Sequence, residues 1–438
     1  HLATNTTSVR RMLDGCQPRW PTPRLVAVVL AGRLQREVSV IECGFIDCSP
    51  PDEDPYDGLR CSGTLEGTVR TVVELSGRDM RRRKLLVGSV FSAAAFAEPT
   101  LFALTIPPAQ STARAAGRRV GMAEVEILTE QIANLSKLGR QYGSGRVREQ
   151  MVALLNREAN QLLHGTYSEK TGRALLSALA RATKMTGFMS GDVGRHALAQ
   201  RYHIQALDLA MRAGDRRQGA DILHEASRLT VRIGENAPAG QDTTRHGRQA
   251  VALARAGLSI AQGTAPPVLA AKLHAVEARG FALLGDTREA RQAAAAAQRC
   301  YELVTTEDAA LFYHVSCFGD DLGRCLGGIG DTEQARTFST MALRGCEPWM
   351  VRGLCVVQTD LAITHIQGRD PEQAAAFGRD ALRTAATLSS TITVERLRTL
   401  QRQVHPLRSA SPHLRDLDDR LTSFLTHPTR RQPNDTSV

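Results

Sequence analysis

Apolar residues recur three and four positions apart along most of the chain. Val125, Leu128, Ile132, Leu135 and Leu138 form one stripe, and Val152, Leu155, Ala159, Leu162 and Leu163 form another. That period predicts one helix after another from Val120 onward, because residues i, i+3 and i+4 share a helix face. Nothing beyond residue 120 alternates with period two over a useful length. Breaks at Gly214-Asp215, Asn236-Ala237-Pro238, Pro266-Pro267, Gly285-Asp286, Gly330-Asp331 and Asp370-Pro371 mark turns. One phrase repeats across these turns: Gly194, Ala199, Ala206-Leu207, then Gly285, Ala290, Ala297, then Gly330, Ala335, Ala342-Leu343. Gly368, Ala374, Ala381-Leu382 carries one extra residue, and Ala250, Gly257-Leu258 is a weaker copy.

A turn glycine, small residues where two helices touch and a repeat of about 40 residues resemble stacked helical hairpins of the tetratricopeptide (TPR) kind. The expected fold is all-α: a partial helix-turn-helix head, since Thr6 to Gly15 resembles the recognition helix of such a domain, followed by an α-solenoid of TPR-like hairpins. Within the head, residues 5–15 read as a helix stopped at Gly15. A Pro-rich turn and an amphipathic helix through Leu25, Val28, Val29 and Ala31–Leu34 follow. The expected domains are residues 1–48 for the partial head, 49–119 for a linker with one or two helices, 120–426 for the array and 427–438 for a disordered tail.

Charge and cysteine content adjust this picture modestly. The net charge is +10 and, with only five lysines among 55 basic residues, arginine dominates. A basic chain is compatible with nucleic acid, although arginines spread over exposed helix faces give the same total. Nine cysteines at irregular spacings, with no CxxC pair, read as free thiols in a reducing cytosol, so the expected location is cytoplasmic. No segment has the roughly 18 apolar residues of a membrane span, so no membrane partner is expected. Leu85 to Ala97, behind Arg81–Lys84, has the anatomy of a twin-arginine export signal, but its place mid-chain favours an apolar segment buried against the array.

The residues best suited to DNA are at the start. Hydroxyls of Thr6, Thr7 and Ser8 could bond phosphates or base edges, and Arg10, Arg11 and Arg19 could pair with phosphate or guanine. Val9, Met12 and Leu13 would face a small core. Between residues 8 and 36 six arginines face one aspartate, which suits a surface laid along phosphates. In the array, polar residues on the first helix of each hairpin are candidates for a partner groove: Asn160, His164, Arg181, Lys184, His224, Arg228, His274, Arg279 and Asp360. No GxxxxGK[ST], HExxH or GxSxG motif occurs, and no enzyme, metal or cofactor is expected.

The stretch SVRRMLDGCQPRWPTPRLVAVVLAGRLQREVSVIECGF resembles the second half of the helix-turn-helix domain in actinobacterial Xre-like transcriptional regulators with a TPR-containing body. The resemblance continues through DMRRRKLLVGSVFSAAAFAEPTLFAL, DVGRHALAQRYHIQALDLAMRAGD and EPWMVRGLCVVQTDLA. Met12 stands where such regulators commonly carry an aromatic residue. The resemblance implies a regulator whose head reads double-stranded DNA and whose body dimerises or binds a peptide or protein ligand, with a homodimer expected. Because the chain opens at His1, it is read as an N-terminally shortened form. It is therefore expected to bind DNA weakly and its full-length parent to bind well. The competing reading is an interaction scaffold that does not bind DNA.

Overall fold

The computed structural model describes residues 6–15, 18, 22–34, 38, 40–45, 57–80, 91–106, 117–238, 240–305 and 313–426. It divides into two compact units, residues 1–57 with 84–89, and residues 58–83 with 90–438. In the first unit, α1 runs Thr6–Leu13 and α2 runs Thr22–Leu34. Gly15 ends α1 with φ +86°, a left-handed conformation that glycine adopts without strain. Two expectations change here. Leu13 is 83 % exposed and does not enter a core. Along α2, Ala27 is buried while Val29, Leu30 and Leu34, expected on or beside the apolar face, are exposed.

The second unit is helical hairpins almost throughout. Its helices are α3 (Leu65–Met80), α4 (Ala97–Thr105), α5 (Met122–Tyr142), α6 (Arg148–His164), α7 (Glu169–Asp192) and α8 (His196–Arg212). They continue with α9 (Arg216–Glu235), α10 (Thr244–Ile260), α11 (Pro267–Leu284), α12 (Thr287–Tyr301), α13 (Val315–Gly328) and α14 (Thr332–Arg344). The last four are α15 (Val351–Gln367), α16 (Pro371–Ala385), α17 (Thr391–Val404) and α18 (Pro412–Thr426). The described strands are two-residue pieces, Arg118–Arg119 paired parallel with Gly165–Thr166.

The repeated phrase has a direct structural meaning. Gly194, Gly285 and Gly330 turn the chain at φ +79°, +76° and +83°. In the copy with one extra residue, Arg369 takes the left-handed position at φ 59°. The aspartate after the turn then caps the next helix. Asp286 accepts from the Glu289 N–H, Asp331 from the Gln334 N–H and Asp370 from the Gln373 N–H, at 3.1–3.3 Å. Ala199, Ala290, Ala335 and Ala374 are fully buried, as are Ala206, Ala297, Ala342 and Ala381. A methyl group at these positions lets paired helices approach closely, and any larger side chain would overpack the contact.

Residues 58–80, expected to be linker, belong to the packed body. Asp79 on α3 accepts from Arg148, from Arg195 Nη1 at 3.1 Å and from the Tyr202 hydroxyl at 2.9 Å. Asp208 accepts from the Thr68 hydroxyl at 2.7 Å and from the Ser62 N–H at 2.9 Å. In the described part of the apolar run Phe96 is buried, as is Ala103 on the helix that follows. Among the described residues, no helix is long and apolar enough to cross a membrane.

The helices α7, α9, α11, α13, α15 and α17 pack in succession, and the far end of the succession returns to the near end. Helix α15 meets α5, and α17 meets α7. The Ser389 N–H donates to the Tyr142 carbonyl at 3.0 Å, and the Gly145 N–H donates to the Ser389 carbonyl at 2.9 Å. Asp192 at the end of α7 accepts from Arg352 Nη1 at 2.9 Å and from the Ser390 hydroxyl. Burial pushes the Asp192 carboxyl up, but Arg352 with the Ser144 and Ser390 hydrogen bonds outweighs it and holds the group below the usual aspartate range.

Candidate functional site

This return leaves a cavity of about 190 Å³ between the first helices of the hairpins. Each helix contributes residues one turn apart: Lys184, Phe188 and Gly191 from α7, His224, Arg228 and Arg232 from α9, and Cys317, Asp320, Asp321 and Arg324 from α13. Helix α5 adds Arg140, α8 adds His203, α11 adds Lys272 and Arg279, and α15 adds Arg352, Val356 and Val357. Spacing of three, four and seven puts these side chains on one face per helix.

One wall is a closed ion-pair network. Lys184 and Lys272 both donate to Asp221. Arg279 grips Glu235 with Nε at 3.0 Å and Nη2 at 2.7 Å, and gives Nη1 to Asp321 at 2.6 Å. The Tyr313 hydroxyl donates to the second Asp321 oxygen at 2.8 Å. Arg324 Nε reaches Asp360 at 3.0 Å and Asp320 at 3.3 Å, and Arg396 also holds Asp360. Burial opposes the ionised form of Glu235, yet Arg279 and Arg324 bring its carboxyl down to about 2. Asp320 goes the other way: burial, with Asp360 nearby, raises it to about 6.

The opposite wall gathers around Phe188. Arg352 lies over its ring at 4.6 Å and Arg228 at 5.6 Å. Arg352 is also tied to Asp192, to the Gly139 carbonyl at 3.2 Å and to the Ser144 hydroxyl at 3.2 Å. Arg232 donates Nη2 to the Gly191 carbonyl at 3.0 Å, and its nearest carboxylate, Glu395, is 4.0 Å from Nε. Arg228 has no hydrogen bond and no carboxylate within 4.0 Å among the described residues, although Glu225 is close enough to favour its charged form. Burial first, then the Arg352 charge, depresses Arg140 below an ordinary guanidinium. His203 sits against Gly187, where a Cβ would stand 2.9 Å from its ring, and burial brings it down to about 4.

Four of the expected groove residues meet at this cavity: Lys184, His224, Arg228 and Arg279. Asp360 stands one step behind, holding Arg324. Three others lie elsewhere. Asn160 turns back onto its own helix, donating to the Asn156 carbonyl at 2.9 Å; Arg181 is exposed; His274 pairs with Glu277 at 3.1 Å. Arg181 and His274 are on cavity-lining helices but off the inward face, while Asn160 is on α6, which does not line the cavity. The side chain of His164 lies outside the described residues. Phe188, Arg232, Lys272, Arg324 and Arg352 were not anticipated. Phe188 and Arg232 follow Lys184 and Arg228 by one helical turn, and that spacing was the signal available. Arg352 is brought in by the return of α15 to α5, which leaves no local trace.

Of the residues expected to contact DNA, Arg10 and Arg11 are exposed on α1. The side chains of Thr6, Thr7 and Ser8, and the whole of Arg19, lie outside the described residues. The seven described cysteines carry free thiols, and burial pushes Cys325 and Cys355 up to about 12, where a thiolate is unavailable at neutral pH. No group of three metal-ligating side chains occurs among the described residues. Residues 1–46 match the family model described as the SP15 N-terminal domain, about a tenth of the chain. No curated protein matches the chain.

Proposed function

We propose that this protein is a ligand-responsive transcriptional regulator, with α1 in a DNA-reading head and the hairpin array as its sensing or dimerising body. The observation that carries the reading is the interior of the array: its first helices surround a cavity lined by charged side chains. A body that served only as a spacer would gain stability by filling that space with apolar residues. Exposed Arg10 and Arg11 near the end of a short helix suit phosphate or guanine contacts. Occupation of the cavity would favour one arrangement of the α5, α7, α15 and α17 junction, and so bias the spacing of two heads in a dimer.

The test uses the full-length gene product and a selection from random duplexes. Salt-sensitive binding is expected, with log K falling by about 0.9 per decade of salt for each phosphate neutralised. R10A and R11A should each weaken binding by about 1–3 kcal/mol if they read bases. Absence of binding to any duplex at low salt would leave the array as an interaction scaffold.

A further inference from the structure

The wall around Phe188 offers donors with few acceptors to meet them. Arg228 has no hydrogen bond or carboxylate within 4.0 Å among the described residues, and its guanidinium faces the Phe188 ring at 5.6 Å. Buried nitrogens without a hydrogen-bond partner line the same cavity: Arg232 Nε, His203 Nδ1 and His224 Nε2, all on side chains at most 9 % exposed. Leaving such groups unpaired is unfavourable by the loss of their hydration. Three carboxylates line the cavity. Asp321 is engaged by Arg279 and Tyr313, and Asp320 by Arg324. Glu225 is the third, and it competes for Arg228 at a distance beyond a direct ion pair. Met350, Val356 and Val357 supply apolar surface beside the donors. A space of about 190 Å³ is large enough for one ring and its substituent.

We infer that the cavity binds a small organic anion, a carboxylate or phosphate on an apolar ring, with its charged end at Arg228 and Arg232 and its ring against Phe188. The inference rests on reading the array as a ligand-binding body and adds the chemical class of the ligand. The anion is either a free acid or the carboxyl end of a peptide.

Calorimetric titration of the whole protein, without DNA, decides the matter. The probes are benzoate, phenyl phosphate, N-acetylphenylalanine, N-acetylphenylalanine amide and benzylamine. The anions should bind and benzylamine should not. Preference for N-acetylphenylalanine over benzoate and phenyl phosphate identifies a peptide terminus, and the reverse preference a free acid. Arg228→Gln should weaken the best anion at least about tenfold, as expected for loss of a charge-assisted hydrogen bond. Glu225→Gln should tighten it, a gain that misfolding cannot mimic. Binding of none of the anions, equal binding of benzylamine, or unchanged affinity in both variants overturns the inference. Anion binding by a protein that binds no duplex would remove the regulator reading and leave the site. Duplex binding without anion binding would do the opposite.

Discussion

Arg279 and Arg228 line the same cavity from neighbouring helices, and their surroundings differ. Arg279 is gripped by Glu235 through two nitrogens and by Asp321 through a third. Arg228 lies over Phe188 with Glu225 beyond ion-pair distance. The first arrangement is structural: a buried cation whose hydrogen bonds are made within the fold. The second leaves donor capacity directed at a space. Equal charge therefore does not mean an equal role: Arg279 is bound up in the fold, and Arg228 is not.

The sharpest way to break this comparison is to remove each arginine in turn. Arg279→Met should destabilise the protein by about 3–5 kcal/mol, because Glu235 and Asp321 are left buried and partly uncompensated. Arg228→Met should cost clearly less, since it breaks no direct ion pair and removes only the longer-range support of Glu225. Urea unfolding of the two variants measures both, and equal losses would erase the distinction between the walls.

Acid acts with opposite sign on two histidines and on Asp320. His203 and His196 have folded pKa values lowered to about 4 by burial, against 6.5 unfolded. Their stability contribution is full above pH 6.5 and is lost as pH falls through the window to 4, by at most about 3 kcal/mol each. Asp320, raised from 3.8 to about 6 by burial, does the reverse: its contribution is full below 3.8 and is lost as pH rises through 6. Unfolding free energies between pH 7 and 4 should fall with acid overall. His203→Gln should flatten that fall and Asp320→Asn should steepen it.

A smaller effect is expected at the junction that carries Arg352 to the Phe188 wall. Gly143 has φ +84°, and an added Cβ would run into the Ser389 carbonyl. Gly143→Ala should be destabilising by about 2 kcal/mol. It should also weaken anion binding while leaving the Arg279 network intact, which chemical-shift changes confined to α5, α15 and α17 would reveal. The smallest effect belongs to a surface pair. Arg291 meets Asp331 at 2.7 Å with its side chain about half exposed, and Arg291→Ala should shift stability by less than about 1 kcal/mol.

Much of the array was legible along the chain, and the reasons are local. Gly285 and Gly330 mark turns because left-handed backbone favours glycine, and the aspartate after each has a helix N–H to cap. The cavity was legible in part. Lys184 was expected and lies there, while Arg181, three residues earlier on the same helix, is exposed. Polarity and helix membership do not specify rotation, and one residue of phase error turns a side chain by about 100°. Similarly, α3 was expected in a linker, because its amphipathic pattern does not say which surface it covers. Its tertiary contacts, among them Asp79 with Arg148 and Arg195 and Thr68 with Asp208, place it on the array.

The sequence by itself determined the helices, their turns and the small residues at which they touch, since each depends on neighbours within a few positions. The tertiary structure decided that the last hairpins meet the first. Asp192 thereby receives Arg352 from 160 residues away, and the arginines around Phe188 share one space. Those contacts arise from small rotations accumulated over successive hairpins, a quantity no short stretch of sequence contains.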